Sequence, residues 1–203
     1  MLRVYWNTLK HINLRGYVYI WANVMWVLLS LPLITAPAAW AGLMHLSYKA
    51  HTTPNASLND FWEGFRMHLG RGVIVGLLTA IILMINISNL IAYQDAVGWF
   101  PVLLRFFWWG TIIIWLSVQF YLWPLLEMME QPTLFGGLRN ALVMILRNPF
   151  FTLGLWPGIL LVIGLSTVFF PAWLLLTGSV LAVLGTRATL DRLEVAGYTP
   201  LPL

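Results

Sequence analysis

Apolar runs broken by clusters of charge or proline divide the chain into six stretches that read as membrane helices. They fall at residues 17–31, 36–48, 72–93, 102–126, 150–170 and 172–187. The first, second and last are short: about 15 residues at 1.5 Å each give ~22 Å, against a ~30 Å hydrocarbon core. Residues 17–48 admit two readings, a helical hairpin or one long helix kinked over Ser30–Pro37. Pro32 and Pro37 interrupt the apolar stretch Trp26–Gly42. A broken helix there leaves backbone amides and carbonyls that are costly to abandon in lipid.

Two stretches between the spans have a different pattern. Over 57–70, Leu58, Phe61, Trp62, Phe65 and Leu69 share one helical face, and Asn59, Asp60, Glu63 and Arg66 the other, which predicts an interfacial amphipathic helix. Ser57 and Asp60 make an N-terminal capping pair. A second interfacial helix is expected over 133–147, after Pro132. At a constant offset of 76 residues Ser57 matches Thr133, Leu58 matches Leu134, Trp62 matches Leu138, Leu69 matches Ile145 and Arg71 matches Arg147. Each segment runs straight into a span. This is the pattern of a duplicated unit, interfacial helix plus membrane helix, or of two unrelated amphipathic linkers.

Composition assigns the solvent. Of the 203 residues 60% are hydrophobic and 9% charged, against roughly 25% charged in soluble domains, so a lipid bilayer must cover most of this surface. The absence of cysteine excludes disulfides, thiolate metal sites and cysteine nucleophiles. A net charge of +4 without a basic run offers nothing suited to nucleic acid. The basic amphipathic N-terminus, residues 1–16, lacks a small-residue cleavage site after a short apolar core and is expected to be part of the mature chain.

Charge also chooses between the two readings of 17–48. With a hairpin, Arg3, Lys10, Arg15, Lys49, Arg66, Arg71, Arg139, Arg147, Arg187 and Arg192 share one side with both termini, and only Arg105 lies opposite. That asymmetry makes the shared side cytoplasmic. The expected fold is all-α: one integral membrane domain over 1–203, about six membrane helices, interfacial amphipathic helices, and cytoplasmic N- and C-termini.

The segment Ser30-Leu-Pro-Leu-Ile-Thr-Ala-Pro-Ala-Ala-Trp-Ala-Gly-Leu-Met44, then Tyr48-Lys49, then Asp60-Phe-Trp-Glu-Gly-Phe-Arg66, resembles the YesL-like family of bacterial integral membrane proteins. The likeness is best over residues 17–80. The family commonly has glycine where Pro37 stands and a more basic segment where His68 to Arg71 stand. No activity is established for it, so the resemblance carries over no catalytic residue. It implies a multi-pass protein of a bacterial cytoplasmic membrane and a link to carbohydrate uptake, near whose genes members are often encoded.

Polar residues inside apolar spans are the natural candidates for function, since burying them is costly unless they are paired. Asn23, His45, Asn86 and Gln119 are the foremost, with Ser88, Asn89 and Ser117 beside them. They could line a route for a small neutral solute, but amides bridging helices are the commoner use. His45, four residues before Lys49, reads as a hydrated interfacial histidine. His11, His51 and His68 are dispersed with no acidic neighbour at ligand spacing, so no metal site and no cofactor are expected. Glu127 and Glu130, one turn apart at a helix exit, read as a solvated pair. Gly72 with Gly76, and Gly154 with Gly158, are small-xxx-small pairs suited to close helix packing, with Pro157 able to kink the second. Trp99, Trp108, Trp109 and Trp173 towards one interface, and Trp6 and Trp62 towards the other, read as belt anchors. The expected role is a non-enzymatic accessory of a larger membrane assembly, with a sugar transporter as candidate partner and homo-oligomerisation open. The alternative is a carrier or facilitator for a small neutral solute.

Overall fold

In the computed structural model, which describes residues 2–198, the chain forms α1 (Leu2–Ser30), α2 (Ala36–Thr52), α3 (Leu58–Met67), α4 (Leu69–Ala92), α5 (Trp99–Met128), α6 (Leu134–Arg147), α7 (Pro149–Val168) and α8 (Gly178–Val195). A π-helical turn, Trp173–Thr177, leads into α8. No strand occurs among the described residues. The last five residues, 199–203, lie outside the description, and with them the expected position of the C-terminus.

The proline-broken segment is the turn of a hairpin. α1 ends at Ser30, Leu31–Thr35 turn the chain, and α2 packs back on α1. Pro32 lies in the turn, and Leu33 next to it takes a positive φ of 54°. Pro37 stands in the first turn of α2, where a missing N–H loses no helical bond. Within α1 the one non-helical residue is Arg15 (φ −125°, ψ 23°), which separates the basic N-terminal arm from the arm that enters the hairpin.

The short helix α2 is the centre of the bundle. α1, α3, α4, α5 and α8 all contact it, and Ala38, Ala39 and Ala41 to Ser47 are buried. Its small residues allow this: a Cβ on Gly42 would stand 2.9 Å from the Phe61 carbonyl oxygen of α3. Across the other face, Gly72 of α4 lies against the Ala38 backbone and Gly76 against the Pro37 ring, so the small-xxx-small pair and the proline turn interlock. The second pair acts similarly within the chain. Gly154 accepts a 2.7 Å hydrogen bond from the Tyr5 hydroxyl, and a Cβ on Gly158 would fall 2.7 Å from that oxygen. α7 passes through Pro157 as one continuous helix.

Four helical segments, Leu69–Ala92, Trp99–Met128, Pro149–Val168 and Trp173–Val195, are long and apolar enough to cross a membrane. Six were expected; the other two, the inner arm of α1 and the 17-residue α2, form the hairpin, with its α2 arm inside the bundle and α1 partly exposed. The four differ in surroundings, with 67% of the most apolar window of α8 buried but 11% of that of α4. α8 is internal, while the outer halves of α4 and α5 project with their apolar faces uncovered.

The amphipathic helices form within three residues of the expected limits. Ser57 caps α3 in a capping box with Asp60, and the Thr133 side chain caps α6 by accepting from the Gly136 N–H. Protein covers their apolar faces in part: Phe61 and Gly64 of α3 are buried against α2, and Gly137 of α6 lies on Leu122 and Leu126 of α5. The 76-residue spacing recurs in the element ends. α2 and α5 end at Thr52 and Met128, α3 and α6 begin at Leu58 and Leu134, and α4 and α7 end at Ala92 and Val168.

Candidate functional site

Where α2, the α3–α4 junction and the end of α5 meet, three titratable side chains converge. His45 comes from α2, His68 is the single residue between α3 and α4, and Glu127 stands one residue before α5 ends. Their ligand-capable atoms all lie within 4.8 Å of one another. His68 Nε2 donates to Glu127 Oε1 at 2.7 Å. His45 Nδ1 lies 2.9 Å from the other carboxylate oxygen, Oε2, but outside hydrogen-bond alignment. The centre is dry: His45 is 3% exposed, His68 1% and the Glu127 side chain 9%.

Local structure builds each position. Glycine at 64 makes room for His45, since a Cβ there would come within 2.7 Å of His45 Cγ. His68 ends α3 with φ −100° and ψ 7°, breaking the helix so that its ring meets Trp123 edge-on at 5.3 Å, while Arg71 on the following turn bonds the Pro132 carbonyl at 2.8 Å. These contacts fasten the start of α4 to the end of α5. Outside the hydrogen bond to Glu127, buried polar atoms stay unpartnered: His45 Nε2, His68 Nδ1 and the Trp123 indole N–H.

Three expectations from the sequence do not hold at this centre. His45 is buried and not hydrated, His68 does have an acidic neighbour, and Glu127 turns inward while Glu130 stays exposed. The three residues lie 23 and 59 positions apart along the chain, too far for any spacing rule, and only the central place of α2 brings them together.

A second histidine pair lies where the N-terminal arm crosses the end of α2. The His11 and His51 rings stack at 3.8 Å and 8°, His11 Nε2 is 2.9 Å from the Tyr19 hydroxyl, and His51 Nδ1 donates to the Ser47 carbonyl at 2.6 Å. Burial, then the nearby Arg187 and Arg15 charges, pull His11 down to about 4. Burial and the stacked His11 pull His51 to about 3. Both are neutral at pH 7.

The intramembrane amides do not share a cavity. Asn23 is fully buried and spent on structure: its amide donates to the Trp173 and Leu174 carbonyls at 2.7 and 2.8 Å, and its Oδ1 accepts from the Ser179 N–H at 2.9 Å. Gln119 is half-buried with its amide nitrogen unpartnered. Asn86 is the one that lines a large cavity, a groove of about 590 Å³ between α4, α5 and α6 whose other walls include Ile82, Ile85, Thr111, Ile114 and Leu142. Its amide nitrogen folds back to the Ile82 carbonyl at 2.7 Å, leaving Oδ1 buried without a partner.

Residues 19–90 match the model of a family described as "Protein of unknown function, DUF624". The matched stretch runs from the inner arm of α1 to the end of α4, so it holds the proline turn, His45, Gly64 and His68 but not Glu127. No curated protein and no solved structure matches the chain. The apolar helices and this match fit a multi-pass membrane protein.

Proposed function

We propose that this protein is a non-enzymatic accessory of a larger membrane assembly, and that it receives a partner's transmembrane helix in the groove between α4, α5 and α6. The observation that carries this reading is Asn86 Oδ1, an amide acceptor left unpartnered in an apolar, lipid-facing groove. Lipid tails offer no donor, whereas a helix presenting a hydroxyl or amide does, and such interhelical bonds contribute ~0.6–2 kcal/mol each. Arg139 stands at the rim of the groove beside the exposed Phe135 and Leu146 of α6. The resemblance to the YesL-like family supports a carbohydrate-uptake protein of a bacterial cytoplasmic membrane as the partner. The carrier alternative has less support, because Asn23 is consumed between α1 and α8 and shares no described cavity with Asn86 or Gln119.

Photo-crosslinking from position Ile85 or Leu142 in native membranes tests this. One protein adduct, identified by mass spectrometry and strongly reduced by Asn86→Leu, is the expected result. Adducts to lipid alone, or a protein adduct indifferent to Asn86→Leu, would refute the reading. An adduct of two copies of this chain would replace the partner by a homo-oligomer.

A further inference from the structure

We propose that His45, His68 and Glu127 form a zinc site that locks α2, the α3–α4 junction and the end of α5 together. Two imidazoles and a carboxylate are a donor set that Zn²⁺ favours, borderline in softness and able to take tetrahedral geometry. The cluster is preassembled by three separate elements, with its donor atoms within 4.8 Å of one another. A tetrahedral ion with bonds of ~2.0–2.2 Å needs its ligand atoms ~3.4 Å apart. The contacts of 2.9 and 2.7 Å run from His45 to Oε2 and from His68 to Oε1, so the carboxylate faces both imidazoles. An ion between them would draw together three donors already within 4.8 Å, with a water-sized ligand completing the shell.

Three observations favour a cation over a purely hydrogen-bonded cluster. Glu127 is a buried carboxylate whose ion-pair partners among the described residues are the two imidazoles, with no arginine or lysine to offset its charge. His45 Nδ1 closes on Oε2 to 2.9 Å without hydrogen-bond alignment, which a nitrogen sharing an ion with that oxygen would also do. Gly64 leaves His45 the one space its ring requires. None of the three side chains is more than 9% exposed, so the ion would be enclosed and its role structural.

The test uses the full chain purified in lipid nanodiscs, stripped with a chelator and then titrated with Zn²⁺ and, separately, Co²⁺. Expected are one zinc per chain by elemental analysis, a rise in Tm on zinc addition, and the intense visible bands of tetrahedral cobalt. Loss of a second-shell partner alone weakens metal sites about 10–100-fold, so Glu127→Gln and His68→Gln are expected to weaken zinc binding by about 100-fold or more. Failure of stripped wild-type protein to take up zinc, or equal uptake by wild type and a folded Glu127→Gln, overturns the proposal. Should both variants fail to fold, the wild-type cobalt spectrum decides, and the weak bands of octahedral cobalt overturn the site. Crosslinking at the α4–α5–α6 groove is read independently, so either proposal can fail alone.

Discussion

Replacing Asn23 by alanine should unfasten the C-terminal helix from the N-terminal one. The side chain is fully buried and makes three hydrogen bonds, two to the carbonyls that open the π-helical turn and one from the Ser179 N–H. Alanine removes all three. It also leaves the Ser179 N–H and at least one carbonyl in a dry interior, at ~1–3 kcal/mol for each orphaned group. Transmembrane side-chain bonds average only ~0.6 kcal/mol net, which lowers the sum, and we expect a loss of about 2–5 kcal/mol. Asn23→Asp keeps an acceptor for Ser179 but sets a carboxylate oxygen against two carbonyls, so it should be at least as damaging. Ser179→Ala, which loses only the 2.8 Å bond to the Tyr19 carbonyl, should cost ~1 kcal/mol. Equilibrium unfolding in mixed micelles, followed by circular dichroism, measures each. An Asn23→Ala protein within ~0.5 kcal/mol of wild type would refute the clamp. Altered solute uptake at unchanged stability would return Asn23 to a transport route.

Gly64→Ala would gain ~1 kcal/mol of helix propensity at an open site. Here the new Cβ comes within 2.7 Å of His45 Cγ, so overpacking should win and Tm should fall by the equivalent of about 1–3 kcal/mol; a rise in Tm would disprove the contact. For His51 the folded pKa of about 3 is below the unfolded 6.5, so the folded state binds fewer protons on acidification. Its stabilisation is full above pH ~6.5 and declines as the pH falls towards 3, by roughly 2 kcal/mol at pH 5. Thermal unfolding between pH 7.5 and 5 should show this decline, and His51→Gln should reduce it to the part that His11 adds through its own lowered pKa of about 4; an unchanged slope in that variant would assign the effect elsewhere.

The hairpin of α1 and α2 was legible from two independent signals, the charge asymmetry and the pair Pro32 and Pro37. The amphipathic helices were legible from their period and caps, and the 76-residue offset anticipated where element ends fall. The centrality of α2 was not. A short apolar helix reads as a short membrane span, and nothing in Ala36–Gly42 distinguishes lipid from protein as the covering. The same limit applies to α3, whose apolar face fits a membrane surface as well as it fits α2. The His45–His68–Glu127 centre was hidden for a related reason. Each residue was judged by its neighbours along the chain, whereas its partners arrive from other helices.

The placement of α2 also bears on how the protein is made. α2 leaves the ribosome before α8, yet α8 is one of its packing partners. Met44 meets Gly185 and Thr186 only once α8 has been synthesised. Until then the face of α2 that carries Met44 lacks its final cover, on a helix of 17 residues, shorter than a bilayer core. The α1–α2 hairpin therefore reaches its final surroundings only after α8 has joined it. A chain truncated before α8 should leave this face of α2 uncovered and be less stable than the full chain.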